Sequence, residues 1–171
     1  MTTSPQIYIA DLAAYNNGIL HGAWIDATQS IDSIREEVSA ILGASPIDKA
    51  EEYAIHDHEG FGGYTINEYD SLEHVYEIAS FIAEYPDFGA DLLAQFNGDI
   101  AEARQHAEDH YCGHYNSLVD FVEELTESTT TIPPHLALYI DYDKMAWDME
   151  MSGDIFSLGS AAKGWHIFWN Q

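Results

Sequence analysis

No lysine or arginine occurs between Ala50 and Ala103, a stretch that carries thirteen acids. Carboxylates without cationic neighbours are costly to bury. This part of the chain can therefore fold only by turning its acids to water and building its interior from apolar residues alone. The imbalance extends over the whole sequence, with 30 acids against 5 bases and a net charge of −25. It is not a tail. Residues 1–61 hold ten acids and two bases, residues 62–103 nine acids and no base, and residues 104–171 eleven acids and three bases. Such charge opposes compaction through self-repulsion, and solubility is usually met by a net charge of about 2–8. Apolar residues nonetheless make up 46% and aromatics 13%, more than a disordered acidic segment contains. The chain folds, and its acidity requires a reason beyond solubility.

The sign of the charge excludes nucleic acid, membrane surfaces and phosphate ligands as partners and calls for a basic one. No apolar run approaches the roughly 18 residues of a membrane span. The opening MTTSPQIYIADL lacks the basic region of a secretory signal. One cysteine, Cys112, cannot form an intrachain disulfide. The expectation is a cytoplasmic protein.

The hydrophobic periods predict an α+β chain, with strands near both ends and acidic helices between. QIYIADL and HGAWIDA read as strands joined by the turn-prone AAYNNGIL. SIDSIREEVSAILG reads as a helix with Ile31, Ile34, Val38, Ile41 and Leu42 inward and Gly43 as its cap. EEYAIHDH reads as a strand, and the GFGG at 60–63 as a boundary. Asp70, with Glu73 three residues on, is expected to cap a helix that Pro86 ends. A short helix covers about 88–96. Asp99 is expected to open a helix running to Cys112, with Gly113 stopping it, and Ser117 to cap another through about Glu127. STTTIPP reads as a loop, LALYI as extended, Asp141 as the cap of a helix to Met151, and GWHIFWN as a strand. Three subdomains follow: 1–61 (α+β), 62–103 (acidic and helical) and 104–171 (α+β).

The acids fall on helical faces. In SLVDFVEELTE, Leu118, Phe121, Val122 and Leu125 share one side, while Asp120, Glu123, Glu124 and Glu127 share the other. Glu73, Glu77 and Glu84 are aligned at steps of four and seven, and Asp87 follows. Glu102 and Asp109 lie seven apart, which returns to nearly the same face after about 10 Å. Few have a basic residue four positions away, although such pairs support exposed helices. A single stripe of this kind is ordinarily a solvated face. Ten such carboxylates with few interspersed bases form an array. Duplex DNA carries about one charge per 1.7 Å of axis, so 25 charges match roughly a dozen base pairs. A protein adapted to molar salt shares this composition.

Histidines invite a second class of function. His106, His110 and His114 are spaced by four around Cys112. In a helix His106 and His110 are neighbours, as in H-E-x-x-H zinc sites, but the glutamate is misplaced in His-Ala-Glu-Asp-His. Cys112 points elsewhere, and His114 follows the helix-stopping glycine. A structural zinc site normally shows paired ligands with distant partners. The expectation is no metal, no cofactor and no catalytic residue, with a His-based metal-binding protein as the alternative. In His56-Asp57-His58-Glu59 the two imidazoles are expected on one strand face and the two acids on the other. Asp141-Tyr142-Asp143 lacks the later glycine and glutamate of a calcium loop.

In order and spacing the chain resembles the ArdA antirestriction proteins of mobile genetic elements, over nearly its full length. The resemblance rests on Ile7-Tyr8-Ile9-Ala10 with Leu12, then Tyr15, Asn16, Gly18, Gly22 and Trp24, and on Glu51 through Asp57. Phe96, Gly98 and Asp99 follow, then Tyr111, Gly113, Tyr115, Ser117, Leu118, Asp120 and Phe121. Ile132-Pro133 precedes Leu136 through Tyr142, which resembles the family's antirestriction motif, and His166-Ile167-Phe168 closes the series. The histidines at 106, 110 and 114 exceed the family pattern. The resemblance implies an elongated, curved, three-part homodimer that copies the charge and shape of bent B-form DNA. It would occupy the DNA-binding groove of type I restriction–modification enzymes, with no enzymatic activity of its own. Glu73, Glu77, Glu84, Asp87, Glu102, Asp109, Asp120, Glu123, Glu124 and Glu127 are then the expected partner-binding carboxylates. The dimer interface is expected in the C-terminal third, with Tyr111 and Tyr115 as candidates. An acidic adaptor or chaperone for basic proteins remains the other binding function.

Overall fold

The computed structural model describes residues 3–171. The chain is mixed α+β and divides into two compact units, the first ending at Ile100 and the second spanning Ala101–Gln171.

The first unit is built on an antiparallel sheet in the order β2–β1–β3, from β1 (Gln6–Asp11), β2 (Gly22–Asp26) and β3 (Tyr53–Glu59). Alternation in β1 sends Ile7 and Ile9 to a fully buried face and leaves Gln6 and Tyr8 on the other. α2 (Ile31–Gly43) packs on β1 and β2 through the buried Ile34 and Val38. α3 (Leu72–Glu84) packs on α2, and the short α4 (Gly89–Gln95) on α3. α3 buries Val75, Ile78, Ala79 and Phe81 completely, and α4 does the same with Leu92 and Leu93.

Three local expectations change here. AAYNNGIL is not a plain turn but begins in a helix, α1 (Leu12–Asn16), because the carboxylate of Asp11 accepts the Ala14 amide as an N-cap. α2 keeps Gly43 inside its last turn, and Ala44 forms the cap. α3 is capped by the Ser71 hydroxyl, which accepts the His74 amide, while Asp70 instead accepts the Asn67 amide at 2.8 Å. The two capping residues are adjacent, and the turn before the helix takes one of them.

The second unit holds α5 (Ile100–Gln105) from the inter-unit boundary onward, α6 (Leu118–Thr129), α7 (Tyr142–Met151) and a second antiparallel sheet. Its order is β4–β6–β5, from β4 (Tyr111–Tyr115), β5 (Ile155–Ser160) and β6 (Gly164–Trp169). One core gathers Phe121 and Val122 of α6, Ala146 of α7, Ile155 of β5 and Ile167 of β6. Cross-strand neighbours Phe156, Phe168 and Tyr111 form an aromatic row, with ring centroids 5.1 and 5.0 Å apart.

The largest departure lies at 99–115. The helix stops at Gln105, continues as one widened π turn over His106–His110, and becomes β4. β4 exists because it pairs with β6, His114 opposite His166 and Tyr115 opposite Trp165. That partner lies some fifty residues away, beyond the reach of a local period. Nor is LALYI extended: it forms a single 3-10 turn, Ala137–Tyr139, with Leu138 94% and Tyr139 83% exposed. Ser117 and Asp141 cap α6 and α7 as their positions predict. No helix among the described residues is long and apolar enough to cross a membrane.

Candidate partner-binding surface

The outward faces are acidic because the inward faces are full. On α6 the buried Phe121 and Val122 hold one side, so Asp120, Glu123, Glu124 and Glu127 emerge together on the other and line an open hollow with Ser128. The field of this stripe reaches the nearby phenols. Burial, aided by Glu124, holds the Tyr115 hydroxyl above its ordinary pKa, and burial with Glu127 and Glu123 does the same to Tyr142. Tyr115 donates to Glu124 Oε1 at 3.4 Å.

On α3, Glu73, Glu77 and Glu84 are exposed opposite the buried row, and Asp87 is exposed between α3 and α4. Glu102 on α5 and Asp109 on the π turn are exposed as well. The widened turn between them breaks the 3.6-residue period on which their alignment depends. All ten carboxylates singled out from the sequence thus reach solvent, and of all the acids only Asp11 and Asp70 are not exposed. Three of the five bases are tied to acids: Arg35 to Glu73 and Asp32, Arg104 to Glu108 and Lys144 to Asp148.

The histidines have structural settings. His106 is buried, its Nδ1 3.0 Å from the Glu102 carbonyl and its ring 4.8 Å from that of His110. His114 donates through Nε2 to the Lys163 carbonyl at 2.8 Å, and Nδ1 of His166 is 2.8 Å from the Tyr111 hydroxyl. The Cys112 thiol is pushed up to about 11 by burial, which keeps it protonated at neutral pH. Among the described residues no group of three or more His, Cys, Asp or Glu side chains is placed to hold a metal ion. His56 and His58 line one open hollow together with Asp57 and Glu68. β3 bulges between Asp57 and Ile55, so Ile55 turns inward and Asp57 outward. His56 is left exposed against Tyr15, and His58 packs on Phe61.

Tyr115 packs on Phe121 at 5.3 Å and Tyr111 on Phe168. Two surfaces escaped sequence reasoning. One comprises the exposed apolar side chains of Leu138 and Tyr139 on the 3-10 turn and of Trp147 and Met151 on α7, the latter two 61% exposed. The other is the outer face of the first sheet, with Trp24 beside Tyr8. The strand alternation of QIYIADL, HGAWIDA and EEYAIHDH held the signal for the latter.

Residues 7–162 match the sequence model of a family described as antirestriction protein (ArdA). No curated protein matches the chain.

Proposed function

From the premise that this chain belongs to the ArdA antirestriction family, we propose that it inhibits type I restriction–modification enzymes by presenting carboxylates where their DNA-binding groove expects phosphates. Family membership carries the antirestriction function and, with it, a connection to restriction–modification machinery. The observation that supports mimicry is the ordered outward array: ten carboxylates on α3, α5, α6 and their flanking turns, all solvent-exposed and interspersed with few bases. A DNA-binding groove lined with lysine and arginine recognises the duplex largely through charge density, and rigid helices hold the carboxylates without further ordering cost.

The same proposal takes the chain as an elongated, curved, non-enzymatic homodimer with functional divisions at 1–61, 62–103 and 104–171, acting in the cytoplasm. Dimerisation through the C-terminal part is supported by the exposed Leu138, Tyr139, Trp147 and Met151, side chains of the kind that interfaces cover.

The test is competition. The protein is titrated into a purified type I methyltransferase core holding labelled target DNA at two salt concentrations. Stoichiometric displacement that weakens with salt is the expected result. Absence of displacement by folded protein sinks the proposal, and equal binding to histones points instead to a general acidic adaptor.

A further inference from the structure

The first sheet buries one face under α2 and leaves the other open. The open face carries two cross-strand rows. Trp24, Tyr8 and Asp57 make one, and Asp26, Gln6 and Glu59 make the other. Trp24 and Tyr8 meet edge to face, 5.6 Å between centroids at 63°. The Tyr8 ring lies down on the sheet over Gly22, where an added Cβ would stand 2.8 Å from the phenol oxygen and 2.9 Å from Cζ. Asp57 and Glu59 alternate with His58 and so share this side. Next to it, Tyr15, His56, His58 and Glu68 wall an open hollow that also contains Asp57, with His56 Nε2 3.6 Å from Glu68 Oε1.

Two aromatic rings bordered by three carboxylates, with no base in either row, have the chemistry of a guanidinium site. Arginine stacks its planar cation on aromatic faces and bonds carboxylates in a fork, whereas lysine offers a compact, strongly hydrated charge. The helical carboxylate stripes draw both cations alike. A second copy of the chain does not fit here, because Asp26, Asp57 and Glu59 would face their own counterparts. We propose that this open sheet face is an arginine-selective anchor for the basic partner, distinct from the helical charge array. The anchor rests on the proposed binding to a basic enzyme and names a contact that charge mimicry alone does not provide.

The test uses the full chain, labelled with nitrogen-15, and capped hexa-arginine and hexa-lysine peptides. The Trp24 indole signal, assigned through Trp24→Phe, is expected to move with hexa-arginine, which binds about two- to fivefold more tightly than hexa-lysine. Trp24→Ala is expected to equalise the two peptides, and Tyr15→Ala to reduce the difference. A double Glu123→Gln, Glu124→Gln variant should weaken both peptides in parallel. Equal affinity of the wild type for the two peptides, or shifts confined to α3 and α6, overturns the anchor. So does a Trp24 signal that moves with protein concentration alone, which would assign the face to a second copy. In DNA displacement, wild-type activity with an equally active, folded Trp24→Ala variant removes the anchor and leaves the mimic intact. A wild type that displaces no DNA removes the mimic, and the peptide preference then decides the anchor by itself.

Discussion

Arg35 on α2 forms a direct charge-assisted hydrogen bond with Glu73 on α3, joining the two helices through one of only five bases in the chain. The hydrogen bond and the charge together raise the arginine's pKa, and the hydrogen bond is the main reason the Glu73 carboxyl sits below its ordinary value. Both side chains are about half exposed, so the pair adds little stability, but it cancels a charge at the start of the α3 stripe. Glu73→Gln is therefore expected to weaken DNA displacement less than Glu77→Gln. Arg35→Gln should strengthen displacement at low salt with little change in melting temperature. Paired titrations of the three variants decide it, and Glu73→Gln proving the more damaging would contradict this account.

Asp11 is the one fully buried carboxylate. Burial pushes its pKa up, but Ser45, the Ala14 and Ala13 amides and nearby His21 outweigh it, and the net direction is downward from 3.8. A depressed carboxyl stabilises the fold above its unfolded pKa, and that contribution is lost as pH falls through the folded value. Asp11→Ala should cost about 1 kcal/mol as a lost N-cap. Asp11→Asn should retain much of the cap but flatten the pH dependence. The wild-type advantage over Asp11→Asn is expected near neutrality and should shrink below the ordinary Asp range. Urea unfolding of both proteins from pH 7 to pH 3 measures it.

The α6 stripe places Asp120 against Glu124 and Glu123 against Glu127 at i,i+4, like-charge pairs that each cost about 0.2–0.5 kcal/mol. Neutralising all four to Asn or Gln should leave the fold at least as stable in low salt. The same variant should displace DNA less well and with a shallower salt dependence, since fewer charges compete with phosphates. Each single neutralisation should change displacement by less than about threefold, within the span of one exposed ion pair. Loss of all activity from one of them would argue against a distributed array.

Leu138 and Tyr115 separate interface from core. Leu138→Asp, on the exposed 3-10 turn, should yield a folded monomer by sedimentation. Tyr115→Ala removes a ring packed on Phe121 and should lower stability by about 1–3 kcal/mol, with the wild-type assembly state retained by the folded fraction. A dimer that survives Leu138→Asp moves the interface elsewhere.

Much of the plan was legible from residues. Hydrophobic periods located the helices at 31–43 and 118–129, since each buries one stripe and leaves the other wet. Ser117 and Asp141 marked helix starts because a cap satisfies amides three residues away. The outward placement of Glu77 or Glu123 followed from the inward placement of its apolar neighbours. What remained hidden depends on contacts between distant segments. Tyr111–Tyr115 reads locally as the end of a helix and becomes a strand only because β6 supplies its hydrogen bonds. Ile55 and Asp57, two residues apart, take opposite faces only because β3 bulges between them where it pairs with β1. The sequence by itself determined which residues could not be buried, because charge and polarity act one residue at a time. Tertiary structure alone decided which exposed residues share a face, because strand register and the widened turn are set by partners tens of residues away.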